Sequence, residues 1–329
     1  MKRKLMSLKK IPAGARAVFH SYAKVNLYLE VLRRRRDGYH DIRTLFERID
    51  LRDQISVRLR DDGIIKVACN YPGVPQNEGN LVYRAAEELF RRCGVGGRAG
   101  ADIRIRKNIP PGAGLGGGSG NAAAVLLELN RLAGFKLPFR ELRELAAGIG
   151  SDTVFFLYEC PFGLGTGRGE VIKPLRRLDK LFFYHVLVFP SVSAPTPLTY
   201  REWDKRRSLR KKDVLTKSLY NVKIINSGYS RYVFPGYKGE LFNGLESVAV
   251  DLYPEVRRVK GVFARLGIEA NAMSGSGSCV FAVVSSRREA SNLARLMRGI
   301  NRRWRVFAAG TALSREEQHK EVGRWRSRK

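Results

Sequence analysis

A chain of 329 residues with 44% hydrophobic content is long enough to bury a substantial core and to form two domains without covalent staples. Its 61 Lys plus Arg against 31 Asp plus Glu give a formal charge of +30, but these residues are spread over the whole chain. No zinc finger, RNP-type aromatic strand or KH-type GXXG loop accompanies them, so a solvated basic surface that attracts anions is favoured over nucleic-acid readout. Cys69, Cys93, Cys160 and Cys279 form neither a CxxC pair nor a Cys/His ligand cluster, which argues against structural zinc and a disulfide framework and fits a reducing cytoplasm. The N-terminus MKRKLMSLKKIPAGARAVF has the charge of a signal peptide without its apolar stretch, and no run is long enough to span a bilayer.

Residues 18–31 alternate as a strand, with Val25, Leu27, Leu29 and Val31 on one face. Lys24 interrupts the apolar pattern and is either a surface lysine on an edge strand or a cation with a task. Asp37-Gly38-Tyr39-His40 reads as a turn followed by two side chains suited to a planar ring, or as a hairpin loop with an incidental aromatic. Ile55–Leu59 and Ile64–Ala68 suggest a hairpin around Asp61-Asp62-Gly63. A helix over 81–93 and an alternating strand over 101–107 then lead into Pro110–Ala123, PPGAGLGGGSGNAA.

Six glycines fall between Pro110 and Gly120, directly before a helical pattern. Glycine lets the backbone curl and a ligand approach the N–H groups, and a helix start adds unpaired donors and a positive dipole end. The stretch therefore reads as a phosphate cradle, the alternative being an ordinary tight turn. Ser119 is a candidate cap, with Val125, Leu126, Leu129 and Leu132 at one-face spacing and Gly134 closing the helix. No Lys-Ser or Lys-Thr follows the glycines, and no acidic residue stands where a dinucleotide fold needs one. Nucleotide phosphates remain the best ligand.

A helix over 140–149 breaks at Gly150-Ser151-Asp152 before a strand-like Val154–Tyr158. Asp152 is a cap or turn residue, or a carboxylate projecting into a cleft. Leu181–Phe189 reads as a buried strand, followed by a turn-rich 191–197. Residues 201–240 carry eleven Lys or Arg against four acids with no apolar period, so helix fragments and mobile loops are expected. Helices over 245–253 and 255–266, the loop Met273–Ser278, a strand over 279–284, a helix over 287–298 and a strand over 304–309 precede a basic tail. Two small-residue loops, 110–120 and 273–278, are positioned in sequence to approach one nucleotide. Hairpins with intervening helices argue for an α+β fold.

The segments AKVNLYLEVL (23–32), RRDGYHDIRTLFERIDLRD (35–53), NLVYRAAEEL (80–89), IPPGAGLGGGSGNAA (109–123), GSDTVFF (150–156) and MSGSGSCVF (273–281) resemble the GHMP kinase superfamily. The resemblance runs from about residue 20 to 313, and the AKxNL and DGYH pairing is similar to members acting on a cytidine diphosphate substrate. It implies two domains, 1–175 like ribosomal protein S5 domain 2 and 176–329 ferredoxin-like, the latter with the basic insert of about 201–240. It implies ATP with Mg²⁺ and a small-molecule substrate, in a monomer or homodimer. Asp152 matches the catalytic base and Lys24 the cation beside it. Pro110, Pro111, Gly112, Ala113, Gly114, Leu115, Gly116, Gly117, Gly118, Ser119 and Gly120 match the ATP loop, with Asn80 and Lys107 near the adenosine. Tyr39 and His40 match the residues that hold the base, Asn26 a substrate contact, and Thr196 and Tyr200 the closure of the substrate pocket. The chain departs from the family pattern at Gly120, where a serine is usual, and at Thr153-Val154, where Val-Pro is usual.

Overall fold

The computed structural model describes residues 11–209, 223, 225, 226, 228, 231, 233 and 238–313. The first ten residues, the basic tail and most of the basic segment after 209 lie outside that set. Two compact units interleave along the chain, one drawn from Met1–Ser21, Asp53–Lys107 and Gly118–Thr153, the other from Tyr22–Arg52, Asn108–Gly117 and Val154–Lys329. Strands β1 (Arg16–Arg34) and β2 (His40–Arg60) contribute to both. The division expected near residue 175 is linear, whereas these units are not.

In the first unit the strand order is β3 (Ile65–Cys69), β4 (Gly100–Arg106), then the end of β2 and the start of β1. The expected hairpin between 55–59 and 64–68 is not formed, because β4 lies between the two segments. It runs antiparallel to β2, with Ile55 opposite Ile105 and Val57 opposite Ile103, and parallel to β3, with Val67 opposite Ile103. Two observations account for this: Ala101, Ile103 and Ile105 give β4 a wholly buried apolar face, and Gly100 admits β3 closely. A Cβ on Gly100 would sit 2.2 Å from the Ile64 carbonyl oxygen. The Asp61-Asp62-Gly63 turn itself is present, with Ile64 N–H donating to the Asp62 carboxylate at 3.1 Å.

Helix α1 (Leu81–Arg92) buries Val82, Ala85, Ala86, Leu89 and Phe90 at helical spacing. Helix α2 (Gly117–Leu132) starts two residues before Ser119, so Ser119 lies in its first turn instead of capping it. Gly134, at φ 64°, ends that helix as expected. Helix α3 (Phe139–Ile149) turns Leu142, Leu145, Ala146 and Ile149 inward and meets α1, with Arg92 bridging to Glu141 at 3.2 Å.

The last segment of the second unit opens within helix α4 (Thr153–Leu157), where a strand was expected. Val154, Phe155, Phe156 and Leu157 are all buried, and consecutive burial suits a short core helix as well as it suits a strand. Phe155 stacks on Phe46 of β2 at 4.9 Å. Strand β5 (Phe162–Thr166) pairs with β2 and with β6 (Val171–Pro174), a hairpin the sequence pattern did not announce. Strand β7 (Tyr184–Phe189) is central to a four-stranded antiparallel sheet ordered β11 (Arg305–Gly310), β7, β10 (Val280–Val284), β9 (Asn271–Met273). The helix α5 (Thr196–Leu209) follows β7, and β8 (Phe242–Asn243) pairs parallel with β1.

Alternate residues of β7 serve two cores. Val186 and Val188 share a core with helices α6 (Glu246–Leu252), α7 (Pro254–Arg265) and α8 (Arg287–Ile300), which contribute Ala249, Val256, Val259, Phe263 and Met297. Leu187 and Phe189 join Val25, Leu27, Leu45, Ile49 and Phe281 in the other core. Burial on both faces produces the continuous apolar run seen in the sequence. A buried polar bridge crosses this second core: Glu47 Oε1 accepts from His185 Nε2 at 2.9 Å and from Thr311 Oγ1 at 2.7 Å.

Candidate active site

The glycine loop of the second unit is braced from one side. The Ala113 carbonyl accepts from Cys279 N–H at 3.2 Å, the Gly114 carbonyl from Ser274 Oγ at 2.9 Å and the Leu115 carbonyl from Lys24 N–H at 3.0 Å. A trans peptide holds its C=O and N–H on opposite edges. The N–H groups of Gly114, Leu115 and Gly116 therefore point away from those three partners, as an anion-binding edge requires. The chain then enters α2, whose first turn carries no acidic residue to compete with an anion at the helix start.

Gly114 is the residue that lets the two small-residue loops meet. Its φ is 74°, and a Cβ there would fall 2.0 Å from the Ser274 carbonyl oxygen. Asn243, on β8, ties the second loop in place by donating to the Met273 carbonyl at 2.7 Å and the Gly275 carbonyl at 2.8 Å. Burial pushes the Cys279 thiol far above the ordinary thiol range, so beneath this junction it acts as a small apolar filler.

Lys24 is 2% exposed and lies on a strand paired on both sides, which removes the edge-lysine reading. Its Nζ donates to Asn26 Oδ1 at 2.6 Å, Asn26 Nδ2 donates to Thr44 Oγ1 at 2.7 Å, and Thr44 Oγ1 donates to the Tyr28 carbonyl at 2.7 Å. A Cβ on Gly275 would come within 3.2 Å of Lys24 Nζ, and one on Gly116 within 3.0 Å of Lys24 Cγ. Both glycine loops thus close on this ammonium group.

Thr196 Oγ1 and Ser276 Oγ share a hydrogen bond of 2.7 Å, joining the start of α5 to the second loop. Farther along α5, Tyr200 stacks on His40 at 4.8 Å, Trp203 meets the same imidazole edge-on at 5.7 Å and Asp204 Oδ1 lies 2.8 Å from His40 Nε2. Tyr39 is instead exposed, with the Arg168 guanidinium 4.7 Å from its ring centre. The turn before it is held by Arg35, whose N–H donates to the Tyr39 carbonyl at 2.7 Å.

In the first unit, Lys107 Nζ is buried between Asp53 Oδ2 at 2.6 Å and Asn121 Oδ1 at 3.2 Å. Asn80 caps α1, accepting from Val82 N–H at 2.9 Å and donating to the Pro75 carbonyl at 2.7 Å. Asp152 sits on the turn between α3 and α4. Gly150, two residues earlier, packs close to the start of α2: a Cβ there would lie 3.2 Å from Thr153 Oγ1 and 3.8 Å from Ser119 Oγ. Gly120, the departure from the family pattern, is buried within α2.

Residues 80–160 match the GHMP kinases N terminal domain and residues 237–299 match GHMP kinases C terminal. The 4-diphosphocytidyl-2-C-methyl-D-erythritol kinase of Geobacter sulfurreducens is 38% identical over 289 residues, which span 88% of this chain and 96% of that protein. The chain belongs to the GHMP kinase family. The enzyme of the same name from Bacillus velezensis is 38% identical over 277 residues, 84% of this chain and 91% of its own. A crystal structure of 4-(cytidine 5'-diphospho)-2C-methyl-D-erythritol kinase superposes with a TM-score of 0.69 at 34% identity, covering 89% of this chain and 98% of that one. The L. major mevalonate kinase, at 15% identity and a TM-score of 0.67, shares the two-domain α+β GHMP kinase fold.

The brace of the glycine loop can be tested. Gly114→Ala is expected to cost about 1–3 kcal/mol of stability from the left-handed backbone alone. The collision with Ser274 then splays the loops and raises the KM for ATP. Thermal melts and ATP titrations measure both, and an unchanged melting temperature and KM would show that the junction tolerates a side chain.

Thr44, Asp53, Asn121, Trp203, Asp204 and Asn243 were not singled out from the sequence. Asp53 and Lys107 had a usable signal, since each is a charge inside an apolar alternation and the two segments pair as β2 and β4. Asp204 and Trp203 follow Tyr200 at helical spacing, but the surrounding basic composition hid the helix.

Proposed function

We propose that this chain transfers the γ-phosphoryl group of ATP to the 2-hydroxyl of 4-diphosphocytidyl-2-C-methyl-D-erythritol, a step in non-mevalonate isoprenoid precursor synthesis. The carrying observation is identity of 38% spread over 96% of a relative bearing that name. In this reading the oxygen of the substrate alcohol bonds to the γ-phosphorus, the β–γ bridging bond breaks, ADP leaves and the alcohol proton passes to Asp152. Lys24, held by Asn26, offsets charge that develops on the phosphoryl oxygens. The N–H groups of Gly114, Leu115 and Gly116, with the start of α2, bind the β- and γ-phosphates. Asn80 and Lys107 would lie toward the adenosine, although both side chains already have internal partners.

Among the described residues no group of three or more His, Cys, Asp or Glu side chains could hold a metal ion. Mg²⁺ keeps several waters and commonly rides on nucleotide phosphates, so a site poor in carboxylates fits it. Ser119, in the first turn of α2, is the side-chain oxygen that would complete its shell, and the bound ion would offset phosphate charge. Among the described residues no helix is long and apolar enough to cross a membrane. A cytoplasmic monomer or homodimer completes the reading.

The deciding experiment compares ADP release with the cytidine substrate, homoserine and mevalonate. Turnover of the first is expected, and activity confined to the other two would end this reading. Tyr39→Ala tests recognition of the base. Loss of a stacking surface worth about 1 kcal/mol raises the substrate KM several-fold with little change in kcat, and an unchanged KM would remove Tyr39 from the site. Should the chain instead bind RNA in a salt-sensitive manner with no ATP turnover, its basic charge would define its function.

A further inference from the structure

Basic residues that look scattered in the sequence are gathered by strand pairing on one surface of the first unit. The sheet of β1, β2, β4 and β3 buries one face there through Ile55, Val57, Val67, Ile103 and Ile105. Alternation along a strand sends the residues between them to the opposite face, where Arg16, Arg58, Lys66, Arg104 and Arg106 are all exposed. Arg58 and Lys66 stand on either side of Asp102 in register, while Arg104 and Arg106 stand opposite Ser56 and Gln54. Arg16 follows Ala15, whose carbonyl accepts from Leu59 N–H at 2.9 Å, so the start of β1 runs along the end of β2. Val18, the next outward residue of β1, is 65% exposed. Asp102 is already engaged by Arg60 at 2.8 Å. Among the described residues no ion pair engages the other five cations. Their mutual repulsion is a cost that a polyanion would remove.

We propose that this sheet face binds double-stranded RNA through its phosphate backbone, an activity beside phosphoryl transfer that stands whichever alcohol accepts the phosphoryl group. Residues two apart on a strand are separated by about 6.7 Å, close to the spacing of successive phosphates along a nucleic-acid strand. Single strands are held by stacking on aromatic rings, and no Phe, Tyr or Trp stands at the outward positions of this face. A DNA major groove is read by an inserted helix or ribbon, whereas the minor groove of A-form RNA is wide, shallow and lined with 2′-hydroxyls that a flat surface can reach. Ser56 and Gln54, beside Arg104 and Arg106, supply the hydroxyl and amide to meet them. Such binding needs no base readout, in keeping with the absence of a sequence-reading motif. The cations involved lie between positions 16 and 106, and only the pairing of four strands unites them.

The triple variant Arg58→Gln/Lys66→Gln/Arg104→Gln removes three of the five cations. A control, Arg287→Gln/Arg295→Gln/Arg302→Gln, removes the same charge from exposed positions of the second unit. Fluorescence anisotropy of an RNA duplex of about 16 base pairs is followed over a salt series. The wild-type chain is expected to bind with a Kd of about 1–100 μM near physiological salt. The slope of log affinity against log salt should shrink by about three in the face variant and keep its wild-type value in the control. Thermal melts and ATP turnover should match the wild type in both. Should the triple variant melt early, Arg104→Gln alone, expected to reduce the slope by about one, carries the test. Equal weakening by the two triple variants makes net charge the cause and overturns the proposal. So does equal wild-type affinity for poly-glutamate, single-stranded RNA or a DNA duplex of matching length, or no duplex binding at all. Turnover lost along with RNA binding in a stably folded face variant also overturns it, by tying this face to the kinase site.

Discussion

Asp152→Asn is expected to lower kcat by about a hundred- to ten-thousand-fold, the range a positioned general base supplies. The amide has the shape of the carboxylate but no capacity to take the proton of the attacking alcohol. Asp152 is only partly buried, on the turn between α3 and α4, so the exchange leaves the packing of Val154, Phe155 and Leu157 untouched. ATP affinity, read by titration calorimetry, should stay near its wild-type value because the loop amides do not depend on this side chain. Rapid-quench measurement of the chemical step then isolates the effect from product release. Near-normal turnover would show that another group accepts the proton.

Lys107→Met should destabilise the protein by about 3–5 kcal/mol, the cost of stranding a buried charge. Asp53 is fully buried, and its carboxylate lies 2.6 Å from the Lys107 ammonium group. Methionine fills much of the same volume, so the loss reports charge more than packing. Adding Asp53→Leu removes the carboxylate that has lost its lysine and should restore most of the stability in urea melts. The same pair of variants separates two roles of Lys107. A double variant that is stable yet binds ATP weakly places the lysine beside the nucleotide, whereas full recovery of both makes it a structural cation alone.

The glycine loop, Lys24 and the α+β class were legible because each leaves a local mark: clustered small residues, a charge in an apolar alternation, short periodic segments. Pairing partners were less so. The 55–59 and 64–68 segments look like a hairpin because the turn between them is genuine, and only the arrival of β4 some forty residues later decides otherwise. Val154–Leu157 illustrates a different limit, since four buried residues in succession have no period to read. Asn243 carries no signal at all: its importance lies in reaching two carbonyls of the second loop, thirty and thirty-two residues downstream. The contacts of His40 were hidden for the same reason, with Asp204 standing 164 positions away.

The brace beneath Ala113–Leu115 also orders events while the protein is being made. Gly114 leaves the ribosome 160 residues ahead of Ser274, whose hydroxyl it needs. Until the closing strands emerge, three amides that later aim outward belong to an unshaped glycine-rich tether, and forming that contact requires closing a very long loop. A nascent chain halted before Met273 should consequently fail to retain immobilised ATP, and nucleotide capture becomes a property acquired near the end of translation.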